Sequence, residues 1–119
     1  MHDTRPRDVP PDALPDVITR YLKAHHAHDT ATAMGTFRTD ATVTDDGRTH
    51  QGALAIEAWL NRSATEYTYT NELSGAQEVD AHHYVTTHHL EGNFPGGVVD
   101  LHYRFALRGG LIESLVIEA

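Results

Sequence analysis

Apolar residues in the first third of the chain recur at the spacing of one helix face. A helix beginning near Pro15, a residue tolerated in a first helical turn, would gather them on one side. They are Leu14, Val17, Ile18, Tyr21, Leu22, Ala24 and His28. Asp29 can cap a second, short helix that Gly35 would end near Phe37. A third helix is predicted at about 53–64, with these residues turned inward: Ala53, Ile56, Trp59 and Leu60.

The remaining pattern is that of strands. Residues 41–45 are rich in β-forming residues, Asp46-Gly47 is a hairpin turn signal, and a short strand returns from Thr49 to Gly52. From Glu66 to Ala119 the chain reads mostly as strands. Their predicted turns are Ser74-Gly75, Asp80-Ala81, residues 94–97 and Gly109-Gly110. Three helices followed by antiparallel strands predict an α+β fold with helices on one face of a sheet.

Alternation is clearest between Val98 and Leu107, where successive side chains point to opposite sheet faces. One face carries Val99, Leu101, Tyr103, Phe105 and Leu107, which we expect to meet the core or a pocket. The other carries Val98, Asp100, His102, Arg104 and Ala106, which we expect to meet water or another subunit.

Length and composition narrow the class of protein. The 119 residues fit one domain, over 14–119, after a proline-rich stretch at 1–13 that we interpret as a flexible lead-in. No apolar run approaches the roughly 20 residues that span a bilayer. With no secretory signal pattern and no cysteine, a cytoplasmic location is expected. The net charge of −8 argues against nucleic acid and against an anionic membrane surface as partners.

Four segments carry a resemblance to a known family. Residues 21–29 resemble its first helix and the aspartate that follows it, and 37–45 its "F-x-x-D-A-x-V-x-D" strand entry. Residues 52–60 resemble its "G-x-x-x-I-x-x-W" helix, and 102–105 with 110–112 its paired last strands. Over roughly residues 12–119 the chain therefore resembles the SnoaL-like branch of the nuclear-transport-factor-2-like superfamily. The resemblance implies a cone-shaped curved sheet packed on about three helices around a pocket, and a homodimer.

Ketosteroid isomerases of this superfamily offer the sharpest chemical comparison. They use a helix-one tyrosine, an acidic base on the first strand and a second aspartic acid on a late strand. Tyr21 matches the tyrosine and Asp45 the base, whereas the second acid falls at Leu101. Asp100 beside it points to the opposite face. The resemblance thus implies acid/base chemistry at Asp45 and makes steroid isomerisation doubtful.

Each candidate residue also has a purely structural interpretation. Asp45 shares the parity of Val43, so it points inward if Val43 is buried, and its pKa would then rise; alternatively it only bonds the backbone of its turn. Tyr21 could hydrogen-bond a ligand oxygen or be a core tyrosine with an internal partner. We expect the pocket wall to comprise Trp59, Leu101, Tyr103 and Phe105, although aromatic residues of a small core would look the same.

Ten histidines raise the question of a metal. His25, His26, His28 and Asp29 spread around a helix end, and Arg104 beside Asp100 and His102 favours an ion pair or a dimer contact instead. No metal site is expected. His88 and His89 alternate, so one faces the pocket; the sequence does not say which, and we take His88 as the candidate ligand-binding residue. No phosphate loop or dinucleotide fingerprint is present, so no organic cofactor is implied.

Three functions fit these observations. In the first, an enzyme acts on a mostly apolar carbonyl compound, with Asp45 as general base or acid and Tyr21 hydrogen-bonding the developing oxyanion. Isomerisation, cyclisation and dehydration all fit it. In the second, the pocket binds a small apolar ligand without catalysis, which Leu101 in place of an acid would favour. In the third, the pocket is filled and the chain is a dimeric scaffold.

Overall fold

In the described part of the chain, seven strands form one curved, open sheet, and three helices cover one of its faces. The computed structural model describes residues 6–66 and 68–119, with the side chains of 63–66 left out of the description. The helices are α1 (Asp16–His26), α2 (Thr30–Met34) and α3 (Ala53–Glu66). The strands are β1 (Arg7–Asp8), β2 (Phe37–Asp45), β3 (Arg48–Gln51), β4 (Tyr69–Asp80), β5 (His83–Gly92), β6 (Val98–Arg108) and β7 (Leu111–Glu118). The predicted α+β class is confirmed.

The strand order is β1-β4-β5-β6-β7-β2-β3. All neighbours are antiparallel except β2 and β7, which run parallel. This parallel pair places the first long strand beside the last one. The C-terminal ends of β2 and β7 therefore lie side by side, and the candidate site is found there.

The core lies between the helices and the inner sheet face. Helix α1 follows Pro15 directly and buries Val17, Ile18, Tyr21 and Ala24, as its spacing predicts. On α3 the side chains of Ile56, Trp59 and Leu60 are buried. The alternation of β6 is confirmed too, because Tyr103 and Phe105 are buried whereas Asp100 and Arg104 are exposed. His28 departs from the predicted stripe: it lies past the end of α1, exposed, with a positive φ of 57°.

Helix α2 has the predicted cap. The Asp29 carboxylate accepts hydrogen bonds from the backbone N–H of Thr32 at 3.2 Å and from its hydroxyl at 2.6 Å. These bonds hold the pKa of Asp29 below its ordinary value. Capping satisfies a backbone donor that the first turn of a helix leaves without a partner.

Replacing Asp29 by alanine is expected to lower the free energy of unfolding, because the backbone N–H of Thr32 then loses the carboxylate that accepts its hydrogen bond. Urea unfolding of the variant and of wild type measures the difference. Asp40→Ala is the matched control, since Asp40 makes only an exposed ion pair with Arg38 at 3.3 Å. Equal losses in the two variants would contradict a capping role.

Most predicted turns are confirmed, and one is wrong. Asp46 and Gly47 have φ of 53° and 75°. A two-residue hairpin turn of type I′ requires such left-handed backbone conformations at both positions. The turn predicted at Ser74-Gly75 is instead a bulge inside β4, where the pairing with β5 shifts register between Leu73 and Gly75. A glycine within a strand commonly marks such an irregularity, so the turn signal was real but its structural meaning differed.

The flexible lead-in over 1–13 stays a prediction, and its described part, residues 6–13, contains two short regular elements. Arg7 and Asp8 pair with Glu78 and Gln77 of β4, and residues Pro11–Ala13 form a 3-10 turn. Residues 1–5 lie outside the described part of the chain. Within that part no helix combines the length and the apolar character needed to cross a membrane.

Candidate functional site

An open pocket of about 700 Å³ lies at one end of the fold. Its wall combines the end of α1, the β2–β3 turn, α3 and the adjoining ends of β4 to β7. The lining residues are His25, Asp45, Asp46, Gly47, Trp59, Tyr69, Leu90, Phe94, Pro95, Val98, Val99, Leu101, Tyr103, Ile117, Glu118 and Ala119. The wall is therefore mostly aromatic and aliphatic, and its carboxylates, Asp45, Asp46 and Glu118, lie at the neighbouring ends of β2 and β7.

Asp45 is the last residue of β2 and lies on the same strand face as Val43, which is fully buried. Its carboxylate is partly buried and lines the pocket. The indole Nε1 of Trp59 donates a hydrogen bond of 3.0 Å to its Oδ2. A donor from the covering helix thus fixes the orientation of the carboxylate, and Oδ1 accepts no hydrogen bond from the described residues.

The sheet register places Asp45 in line with a pocket tyrosine. Asp45 pairs with Ile117 on β7, and Ile117 pairs with Tyr103 on β6. Strands lie about 4.8 Å apart, so the backbones of Asp45 and Tyr103 are separated by roughly 10 Å. A small molecule lying across this row can contact a carboxylate at one end and a phenol ring at the other.

His25 closes the pocket on the helix side. Its ring is stacked on that of Trp59, with centroids 6.1 Å apart and planes at 24°. Burial, and to a smaller extent the nearby His28, lowers the pKa of His25 to about 4, against an opposing effect of Asp45. At neutral pH this imidazole is therefore uncharged, and it can both donate and accept a hydrogen bond.

Tyr21 lies behind His25 and does not line the pocket. Its ring is fully buried, edge-on to both Phe37 and Phe105. Its hydroxyl is 3.4 Å from Nδ1 of His25. Burial, followed by the neighbouring Tyr103, raises the pKa of Tyr21 well above its ordinary value. Tyr21 thus remains a protonated phenol at any physiological pH. Its hydroxyl contacts His25, which lines the pocket, whereas Tyr21 itself does not.

His88 and Tyr103 form a second buried group. The two ring centroids are 4.2 Å apart, and His88 makes hydrogen bonds with Thr86 at 2.8 Å and Asn71 at 2.9 Å. Burial lowers the pKa of His88 to about 4. The pKa of Tyr103 is raised, chiefly by burial. His89 points outward, between Glu91 and Asp100, so the structure decides which histidine faces inward.

A smaller cavity of about 340 Å³ adjoins the main pocket. His25 and Tyr103 belong to the walls of both, and His88 and Asn71 line the smaller one. His88, the predicted ligand-binding histidine, therefore lies at this second cavity.

The structure brings together four of the seven residues singled out by sequence. Asp45, Trp59, Leu101 and Tyr103 line the main pocket. Tyr21, Phe105 and His88 do not. Phe105 has the expected strand face, but it lies two residues farther from the pocket than Tyr103 and is covered by Tyr21. The alternation of side chains along β6 predicted the inner face of Phe105 correctly. It contains no information about how far along the strand the pocket extends.

Three aromatic residues stand out among the lining residues that sequence reasoning did not select. His25 was considered only as part of a helix-end histidine cluster, although its four-residue spacing from Tyr21 places both on one helix face. The rings of Tyr69 and Phe94 contact each other edge-on, with centroids 6.4 Å apart. Their contact joins the start of β4 to the β5–β6 turn, and no local sequence signal predicts such a contact.

The outer sheet face pairs its charges differently from the expected Asp100–Arg104 ion pair. Asp100 Oδ1 is 2.7 Å from Nδ1 of His89, and Arg104 Nε is 2.6 Å from Glu118. Asp100 and Arg104 thus each pair with a side chain on a neighbouring strand. Among the residues that the structure describes, no three or more histidine, aspartate or glutamate side chains are grouped so as to bind a metal ion.

Solved structures of three other proteins are similar to this chain. A solved protein from Sinorhizobium meliloti, provisionally described as a polyketide cyclase, is 33% identical with a TM-score of 0.85, and the match covers 92% of this chain and all of that one. A Catenulispora acidiphila protein with a ketosteroid isomerase-like fold, solved with trimethylamine, is 19% identical, with a TM-score of 0.77 and coverage of 90% and 87%. A Mycobacterium tuberculosis protein in complex with estradiol-17beta-hemisuccinate is 15% identical, with a TM-score of 0.72 and coverage of 87% and 90%.

No protein-family model and no curated protein matches the sequence. The identity and full coverage of the Sinorhizobium protein nevertheless exceed what a shared fold alone requires. The chain belongs to the SnoaL-like branch of the nuclear-transport-factor-2-like superfamily.

Proposed function

We propose that this protein is a small-molecule enzyme that moves a proton on a mostly apolar carbonyl compound, with Asp45 as the group that takes and returns the proton. The observation that carries the proposal is the position of this carboxylate inside an aromatic and aliphatic pocket, oriented by Trp59. A carboxylate held in place beside a carbon acid is suited to general base catalysis. Isomerisation, cyclisation and dehydration can all begin with that step.

The size and lining of the pocket support a small apolar ligand. Its 700 Å³ lies within the roughly 300–1,000 Å³ usual for small-molecule sites, which are mostly apolar with a few placed polar groups. Leu101, Val99 and Ile117 supply aliphatic wall, and Tyr69 and Tyr103 supply aromatic wall. The complex of the Mycobacterium tuberculosis relative with estradiol-17beta-hemisuccinate shows that this fold can hold a largely apolar molecule.

A thermal-shift screen of apolar ketones and esters tests the proposal. A compound at a hundred times its dissociation constant should stabilise the folded state by about 2.7 kcal/mol. We expect hits whose shift changes in Asp45→Asn and not in Asp46→Asn, the adjacent exposed turn residue. Each hit is then incubated in D₂O, and exchange of hydrogen next to its carbonyl is followed by NMR. Bound compounds that exchange no faster than in buffer would contradict proton transfer.

Leu101 favours a second candidate, a module that binds the same ligands without catalysis. It lines the pocket where the ketosteroid isomerase pattern has its second acid. Under this alternative Tyr103→Ala should weaken binding, because it removes a ring from the wall, whereas Asp45→Asn should change binding little. The D₂O experiment separates the two candidates, because only the enzyme accelerates exchange.

A further inference from the structure

His25 occupies a junction in the site. It lies in the last turn of α1 and forms part of the wall of both the main pocket and the smaller cavity. On one side its ring is stacked on Trp59, the residue that orients Asp45. On the other side is the buried hydroxyl of Tyr21. A ligand that reaches Asp45 is therefore also close to this imidazole.

The contact with Tyr21 favours one of the two tautomers of His25. A fully buried tyrosine hydroxyl needs an acceptor for its single hydrogen, and among the described residues its partner is Nδ1 of His25. With Nδ1 as this acceptor, the hydrogen of the uncharged ring lies on Nε2. The two nitrogens of an imidazole point in widely different directions. Nε2 is thus directed away from Tyr21.

The charge state agrees with this arrangement. Burial lowers the pKa of His25 to about 4. The titratable groups that face it are Tyr21 on α1, Asp45 on β2, His88 on β5, His26 at the end of α1 and His28 just past that end. Of these only Asp45 favours a charged ring, and its effect is smaller than that of burial. At neutral pH the ring is a hydrogen-bond donor without positive charge.

We propose that His25 donates its Nε2 hydrogen to the carbonyl oxygen of the ligand while Asp45 takes a proton from the adjacent carbon, and that Tyr21 is a positioning residue acting through His25. This inference rests on the proposed function. The C–H electron pair moves into the C–C bond, the carbonyl π pair moves onto oxygen, and the proton resides on Asp45 until it returns to carbon. His25 keeps its hydrogen throughout and stabilises the enolate oxygen by hydrogen bonding. The ligand is thereby specified as a carbonyl compound with a hydrogen on its α-carbon.

The tautomer can be measured without any ligand. In protein labelled with ¹⁵N-histidine, long-range ¹H–¹⁵N correlation at pH 7 should show His25 protonated at Nε2 and unprotonated at Nδ1, with titration only near pH 4. His25→Phe assigns the signals. Tyr21→Phe, which removes only the hydroxyl, should abolish the preference for this tautomer. A hydrogen on Nδ1, a charged ring at pH 7, or an unchanged tautomer in Tyr21→Phe would overturn the inference.

Acetophenone labelled with ¹³C at its carbonyl serves as the probe for contact. We expect it to shift the Nε2 signal of His25, and its own carbonyl resonance to move in wild type but not in His25→Phe. His82→Phe, at an exposed position in the turn between β4 and β5, is the control. An unperturbed Nε2 signal overturns the contact. Exchange lost in Asp45→Asn but intact in His25→Phe would leave the proposed function standing and reject the role of His25 alone.

Discussion

Replacing Asp45 by asparagine is expected to lower turnover of a carbonyl substrate by about two to four orders of magnitude, the usual contribution of a positioned general base. The fold should survive the change, because the asparagine oxygen can still accept the hydrogen bond that Trp59 donates to Asp45. The variant thus loses the ability to take a proton and keeps the shape of the site. Steady-state kinetics together with thermal unfolding of both proteins measure the two properties separately.

Asp46→Asn is the matched control for that experiment. Asp46 is adjacent in sequence and also borders the pocket, but it is exposed and has the left-handed backbone conformation that asparagine tolerates well. Its substitution removes the same charge a few ångströms away. Turnover should change severalfold at most. Similar losses in the two variants would mean that negative charge near the pocket mouth matters, and not a base at Asp45.

The second large effect concerns acid stability: the protein is expected to lose about 3 kcal/mol of its free energy of unfolding between about pH 6.5 and pH 4 through His88 alone. His88 is 3% exposed, and burial lowers its pKa from 6.5 to about 4. In this interval the unfolded chain binds a proton that the folded chain does not. Stability therefore falls as the pH falls, by about 1.4 kcal/mol per pH unit. His25 contributes in the same direction.

Urea unfolding at several pH values, in wild type and His88→Gln, measures this slope. The variant should have a slope smaller by about 1.4 kcal/mol per pH unit, whatever its absolute stability. His89→Gln is the control, because His89 is outward-facing and its pKa is raised by Glu91 and Asp100. The contribution of His89 is complete below about pH 6.5 and disappears only as the pH rises through its folded pKa. Its removal should leave the slope below about pH 6 unchanged, and an equal loss of slope in both variants would refute the assignment.

Local patterns predicted the elements of this fold well, because their signals are short-range. The Asp29 cap depends on residues three positions apart, and the Asp46-Gly47 turn on two adjacent residues. The face of β6 follows from strict alternation. The failure at Ser74-Gly75 has the same origin: a glycine signal is identical for a turn and for a bulge, and only the partner strand β5 distinguishes them.

The candidate site was harder to predict because its parts come from distant segments. Parity placed Asp45 and Tyr103 on inner faces, yet their alignment depends on β7 lying between β2 and β6. Tyr21 was selected because it matches a position of the family motif. In the structure its ring packs against Phe37 and Phe105, and His25 lies between it and the pocket. Depth below a surface is a property of the packed chain, and periodicity along one element contains no information about it.

The sequence by itself determined the α+β class, the three helices, the hairpin turns and the inward face of β6, since each follows from spacing within one segment. The tertiary structure alone decided that Trp59 holds Asp45, that His25 lies between Trp59 and Tyr21, and that His88 and not His89 is buried. Apart from the contact between His25 and Tyr21 on α1, these contacts join residues from different elements. They exist only because the curved sheet and the covering helices bring those elements within a few ångströms of one another.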